Sequence, residues 1–305
     1  MRCSDMLPQY IQKGMNSMSN KKMVLVTGGT GSQGGATVTH LLAAKKVRVR
    51  VLTRNLDAPK ARSLAARGVE LVKGDFEDLA SLRTALAGVS AAFSVQQWTE
   101  KGGTAAEELN GKRFADAVKA SGSPHLVYSS AEGVERKSGL GHYESKWAIE
   151  QHIRDLKLPA TILRPVGFMD AFGVPAMQRG MFLGIFRANF GVSLPVQFVA
   201  TYDIGWFAAR ALEDPERYAG RVIPLAGDEL SIGDIIGTFK TVTGRKPWVA
   251  PIPAFLAKKM MPKEFLDMFR WIREEGFKAD IAQVREEYPQ LLTFAGWVKK
   301  YTDEH

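Results

Sequence analysis

The sequence predicts an α/β protein: a doubly wound parallel sheet followed by a smaller, mostly helical C-terminal domain. Three observations carry that expectation. Short apolar runs alternate with amphipathic segments through the first half of the chain, the pattern of strands joined by crossover helices. The first run ends in a glycine cluster. After Pro165 the character changes to a Met-, Phe- and Gly-rich stretch and then to helical segments.

The expected strands are MVLVTG, VRVRVLT, VELVKGD, SAAFSV, HLVYSS and ATILRP. Between them lie expected helices over 36–45, 58–67, 79–86, 105–120 and 143–156, with apolar residues such as Val38, Leu41 and Leu42 at helical spacing. VRVRVLT alternates valine with arginine, whereas a strand covered on both faces is continuously apolar. One face of it is therefore expected to be thinly covered near its start. The stretch GFMDAFGVPAMQRGMFLGIFRANFG has no clean period. It reads equally as the cover of an apolar pocket or as ordinary core. TYDIGWFAARAL predicts a helix capped by Asp203, and Ser231 caps a second helix to Thr243. RVIPLAG reads as a late strand that can return to the first sheet. The expected division is an extension over 1–20, a dinucleotide-binding domain over 21–160 and a C-terminal substrate domain over 161–305.

With 45% hydrophobic and 24% charged residues among 305, the composition is that of a globular protein. No apolar run of about 18–20 residues predicts a transmembrane helix, and the N-terminus lacks the apolar core of a signal peptide. Cys3 is the one cysteine, so neither an intrachain disulfide nor a cysteine-based metal site is expected. No metal of another kind is expected, and a reducing, cytoplasmic setting fits. The net charge of +9 is spread among interleaved acids, which argues against nucleic acid. Its one concentration is Lys45, Lys46, Arg48, Arg50, Arg54, Lys60, Arg62 and Arg67, around the place expected for an anionic cofactor.

That place follows from VLVTGGTGSQGG, where Gly28, Gly31 and Gly34 stand directly after a strand and open a helix. A Rossmann phosphate loop needs that context. Gly28 permits the turn, Gly31 lets the backbone approach a pyrophosphate, and Gly34 seats the helix on the sheet. Thr30, Ser32 and Gln33 complete the loop, and the helix N-terminus offers free N–H groups to phosphate. NAD binders place an acid at the end of the second strand. Here Arg54 takes that position, and its guanidinium suits a 2′-phosphate, with Lys60 assisting. The expected cofactor is NADP(H) rather than NAD(H). Asp75, at the tip of the third strand, is placed to accept from the adenine amino group or to cap the following turn.

TGGTGSQGG, VRVLTRN, VKGDFED, HYESKWAIEQHIRDLKLPATILRP and DIGWFAARAL together resemble the NmrA-like family of atypical short-chain dehydrogenases, over about residues 22–244. The resemblance implies a cleft between a Rossmann domain and a smaller C-terminal domain. Arg54 and Asp75 would contact the adenosine end, and the loop from Ser94 to Trp98, with Gln96, would pass the nicotinamide end. Short-chain dehydrogenases use Ser, Tyr and Lys, the last two spaced Y-x-x-x-K. Lys146 matches the lysine and Ser130 the serine, but His142 stands in the tyrosine position and Tyr143 is one place late. Residues four apart share a helix face, so His142 and Lys146 can serve one cleft. An imidazole can also hand over a proton. The favoured reading is an NADPH-dependent reductase of an apolar, aromatic or carbonyl-bearing small molecule. The alternatives are a non-catalytic NADP(H) sensor acting on a regulatory protein, which the missing tyrosine favours, and a scaffold with a vestigial site. A homodimer is a further partner to test.

Arg54→Ala should weaken NADP binding about tenfold or more, the worth of a charged hydrogen bond, while NAD binding changes little. Titration of both dinucleotides checks this; equal wild-type affinities would contradict it.

Overall fold

The computed structural model describes residues 21–122 and 124–303. The expected extension, with Cys3, lies outside them. Ten strands are described: β1 (Met23–Val26), β2 (Arg48–Thr53), β3 (Glu70–Lys73), β4 (Val89–Ser94), β5 (His125–Ser129), β6 (Ala160–Pro165), β7 (Gly167–Phe168), β8 (Val196–Val199), β9 (Val222–Leu225) and β10 (Asp228–Leu230). Seven form the main sheet in the order β3-β2-β1-β4-β5-β6-β9, every neighbouring pair parallel. The first six are the expected strands, and RVIPLAG supplies β9 beside β6. The order reverses between β1 and β4, so their carboxyl ends face a crevice that no crossover closes.

Helices α1 (Ser32–Ala44), α2 (Pro59–Ala66), α3 (Leu79–Leu86), α4 (Gly103–Ala120) and α5 (Gly141–Asp155) make the crossovers between β1 and β6. After β6 come α6 (Ala176–Phe190), α7 (Thr201–Glu213) and the short α8 (Pro215–Tyr218). The chain ends with α9 (Ile232–Thr243), α10 (Ala254–Met260), α11 (Lys263–Glu274), α12 (Ile281–Glu287) and α13 (Phe294–Asp303). Val38, Leu41, Leu64, Ile204 and Phe207 of α1, α2 and α7 bury one face of the sheet with Val24, Val26 and Val51. Leu82, Phe114, Val118, Ile149 and Ile153 of α3, α4 and α5 bury the other with Leu25 and Leu126. No described helix is long and apolar enough to cross a membrane.

The alternation in β2 has the expected consequence. Arg48 is exposed, and Arg50 is held by Glu70 at 2.6 Å and by the carbonyls of Ala85 and Ala87. Arg50 thus reaches across the start of the strand to the C-terminal end of α3.

Two features differ from expectation. Helix α7 begins at Thr201 and is not capped by Asp203. Asp170 caps it instead, accepting from the Thr201 amide at 2.8 Å and its hydroxyl at 2.6 Å. Asp203 lies inside the first turn, fully buried, and accepts from the Leu292 amide at 3.0 Å. The second is a small sheet, β10-β8-β7, that sequence patterning did not predict. Its strands of two to four residues are too short to show a period. The stretch after Pro165 divides: Met169, Phe172, Leu183 and Phe190 pack with Phe198, Phe269 and Phe294 in a core, while Phe168, Met177 and Phe182 are exposed.

Burial pushes the Asp203 carboxyl up to about 7, a neighbouring Asp170 adding to the effect against the Leu292 amide, Lys300 and Arg285. A raised native pKa stabilises the fold only where the unfolded chain is also protonated, so this contribution is lost as pH rises from about 4 to about 7. Asp203→Asn keeps an acceptor for Leu292 and removes the ionisation. Its melting temperature relative to wild type should be higher at pH 8 than at pH 5, read by thermal denaturation; a pH-independent difference would contradict the assignment.

Candidate functional site

The crevice begins at the glycine loop. Gly28 adopts φ +62°, a left-handed conformation that favours glycine. Its carbonyl accepts from the Gly31 amide at 2.9 Å and closes the turn. A Cβ at Gly34 would lie 2.3 Å from the Gly28 carbonyl oxygen, so only glycine lets α1 sit this close to the end of β1. Gly31 differs: a Cβ there would meet only the Gly28 carbonyl oxygen, at 3.3 Å. Gly31 is the N-cap of α1, no side chain caps the helix, and Gly28, Gly31 and Ser32 are exposed. The first amides of α1 are therefore free for an anion. Thr30 is half-buried. The side chain of Gln33 turns inward, its carbonyl accepting from the Ser129 hydroxyl at 2.6 Å.

The adenosine side is more open. Arg54 is exposed just past β2, paired loosely with Glu100 at 3.4 Å. Lys60 is exposed in the first turn of α2. The Asp75 carboxylate accepts from the Glu77 amide at 3.0 Å, the expected turn cap.

The buried end of the crevice holds its ion pairs. Lys146 projects from α5, and its ammonium lies 2.9 Å from the Glu107 carboxylate of α4 and 3.4 Å from the Gln96 carbonyl. The Glu107 side chain has no exposed surface, and its second oxygen accepts from the Ser145 hydroxyl. Gln96 itself is buried after β4; its amide donates to Ser94 at 2.8 Å, and its side-chain oxygen has no partner. The buried Ser130 hydroxyl also has none. Unsatisfied buried polar atoms carry a desolvation cost, and these lie past the ends of β4 and β5, where a polar ligand would satisfy them. Glycines open toward phosphate, free helix amides and these orphaned atoms all fit a dinucleotide. Residues 94, 96, 130 and 146 would hold its nicotinamide end, and 28–34 its pyrophosphate.

His142 is buried, and its Nδ1 lies 2.7 Å from Glu264 of α11. The same carboxylate accepts from the His142 amide at 3.2 Å. Trp98 stacks on the imidazole, centroids 5.1 Å apart, and Phe265 of α11 tilts against Trp98. Burial lowers the His142 pKa, and the Glu264 hydrogen bond and charge oppose it without overcoming it. Tyr143 is buried with its ring edge-on to His142, centroids 4.8 Å apart, and to Trp271, in a cluster with Val134 and Leu140.

Sequence reasoning missed Glu107, Glu264 and Ser129. Glu107 had a signal: it shares a helical stripe with the buried Gly111, Phe114 and Val118, and an acid on an apolar stripe needs a partner. Glu264 had none, being 122 residues from the histidine it holds.

Fold and site define an α/β protein built to hold a dinucleotide at its topological switch point. The chain belongs to the NmrA-like family, whose model matches residues 20–298. An NmrA-like family domain-containing oxidoreductase of Aspergillus flavus is 30% identical over 266 residues, covering 79% of each chain. The Citrobacter triphenylmethane reductase complexed with NADP(H) superposes with a TM-score of 0.73 at 22% identity, over 92% of this chain and 99% of that one. NmrA, a negative transcriptional regulator, in complex with NADP, superposes at 0.72 and 19% identity, over 93% and 96%. At these identities the two structures establish the shared fold.

Gly31→Leu would fill the space left open before α1 without striking the protein's own backbone beyond Gly28. It should abolish dinucleotide binding in calorimetric titration while the melting temperature stays near wild type. Retained affinity would show that the loop holds no phosphate.

Proposed function

We propose that this chain is an NADP(H)-dependent oxidoreductase that reduces an apolar, aromatic or carbonyl-bearing small molecule in the crevice past β1, β4 and β5. The observation that carries this reading is Lys146, bonded to Glu107 and the Gln96 carbonyl, together with two buried, unpartnered polar atoms past the ends of β4 and β5, Gln96 Oε1 and Ser130 Oγ. The likeness to the Aspergillus oxidoreductase and the Citrobacter reductase supports it.

The phosphate loop and the α1 N-terminus bind the pyrophosphate, and Arg54 with Lys60 selects the 2′-phosphate. Asp75 faces the adenine side. When bound, NADPH supplies a hydride. Lys146 holds the nicotinamide ribose, and Gln96 orients the carboxamide end. Ser130 donates a hydrogen bond to the substrate oxygen. His142 is the group placed to move a proton: with Nδ1–H on Glu264, the proton to be given sits on Nε2. Glu264 stabilises the charged imidazolium that this requires, against the burial that disfavours it.

That opposition favours a second reading. With the neutral imidazole preferred and the neighbouring Tyr143 hydroxyl pushed up by burial, neither group is a ready acid at neutral pH. A protein that binds NADP(H) without turnover and acts on a regulatory partner fits the same geometry, and NmrA is itself a regulator.

NADPH oxidation with a panel of quinones, enones and aryl ketones separates the two. If the chain is a reductase, His142→Phe should lower kcat by roughly 10²–10⁴ with NADPH affinity nearly intact, and Lys146→Met should impair both. If it is a sensor, no substrate is turned over and Lys146→Met changes cofactor affinity alone. Full activity in His142→Phe would remove the histidine from the reaction.

A further inference from the structure

The buried Lys146–Glu107 pair is more than a structural tie. Three features of Glu107 stand out. Its side chain is wholly buried, whereas Lys146 keeps 11% of its surface. Both carboxylate oxygens are engaged, one by the ammonium at 2.9 Å and one by the neighbouring Ser145 hydroxyl. It comes from α4, on the face that packs against α5, so it approaches the lysine from behind and leaves the crevice side to the ammonium and the Gln96 carbonyl. A lone buried carboxylate or ammonium is strongly disfavoured, and each here is compensated by the other. The lysine therefore presents hydrogen-bond donors to the crevice while the pair as a whole adds no net charge to it.

The compensation matters because a nicotinamide ring is cationic when oxidised and neutral when reduced. An uncompensated lysine beside the ring would repel the oxidised form, and an uncompensated glutamate would attract it. We propose that Glu107, acting through Lys146, is the residue that sets the relative affinity for the oxidised and reduced cofactor. This rests on the reading above that Lys146 holds the nicotinamide ribose. It applies whether the protein is a reductase or a sensor, since product release and redox sensing both depend on the same ratio.

The test is the ratio of dissociation constants, Kd(NADP⁺)/Kd(NADPH), by calorimetry for one form and NADPH fluorescence for the other. It is measured at about pH 6 and about pH 8.5, so that a lone lysine and a lone carboxylate are each read where they stay charged. Glu107→Gln leaves the ammonium alone and should raise the ratio about tenfold or more at the lower pH, the least that one unit charge within about 12 Å at an effective dielectric of about 20 supplies. Lys146→Met leaves the carboxylate alone and should lower the ratio by a similar factor at the higher pH. The double variant removes both charges and should return the ratio to within about threefold of wild type, and Glu107→Asp should preserve it. A residue of purely structural worth would weaken both forms alike and could not produce shifts of opposite sign. Adenosine 2′,5′-bisphosphate, which lacks the nicotinamide half, should bind every variant equally and reports that the phosphate-binding end is intact. If Glu107→Gln does not fold, Lys146→Met and the double variant still decide. Ratios that move together, or stay fixed while both affinities fall, overturn the proposal and leave the ribose contact standing. If Lys146→Met alters neither affinity, the ribose contact falls, and the proposal with it.

Discussion

The crevice depends on one constraint, the close seating of α1 over the end of β1. The Gly34 backbone passes so near the Gly28 carbonyl that a methyl group has no room. That approach aligns the helix axis with the reversal of strand order between β1 and β4. The free amides of the first turn of α1, from Ser32 on, then face the same opening as the loop after β4. The Val95 amide donates to Thr27 at 3.3 Å, and a Cβ at Gly28 would touch Val95, so the two loops hold each other in place. A second close approach supports the first from outside: Gly205 of α7 lies where its Cβ would be 2.5 Å from Ala36 of α1.

From that frame the site is assembled by three separate parts of the chain. α4 contributes Glu107, α5 contributes His142 and Lys146, and α11 contributes Glu264 and Phe265. His142 and Lys146 of α5 are each matched with an acid from a different helix. The consequences differ because the burial differs. Lys146 and Glu107 share a nearly closed space, where each charge requires the other. Glu264 is about a third exposed, so its hold on His142 is screened by solvent and burial of the imidazole prevails. α11 also anchors to α6 through Phe269, which packs on Phe186 and Phe190. The C-terminal helices and the buried end of the crevice are thus mechanically joined.

Much of this was legible in the sequence, for identifiable reasons. Strands buried on both faces read as apolar runs, and helices that cover them read as amphipathic segments, so the order of elements through β6 followed from pattern alone. The glycine loop was legible because the turn, the close approach and the seating each need glycine at a fixed spacing. The arginines of β2 were legible because their alternation breaks the apolar rule. The small sheet was not, since its strands are too short to carry a period. The start of α7 was misplaced because Asp203 resembles a local cap. The true cap, Asp170, lies 31 residues upstream and meets the helix only after folding.

The sequence by itself determined the sheet order's raw material, the phosphate loop, and the identities of Arg54, Ser130, His142 and Lys146. Those properties depend on residue type and short-range spacing, which a linear chain displays in full. Only the tertiary structure decided the state of those residues. It turned Gln33 toward Ser129, cancelled the charge of Lys146 with Glu107, and disfavoured the charged form of His142 beneath Trp98. It left Ser130 and Gln96 with unpaired polar atoms. Each of these is set by burial and by a partner distant in sequence, and the free energy of a charge or a hydrogen bond depends on those surroundings more than on the residue that bears it.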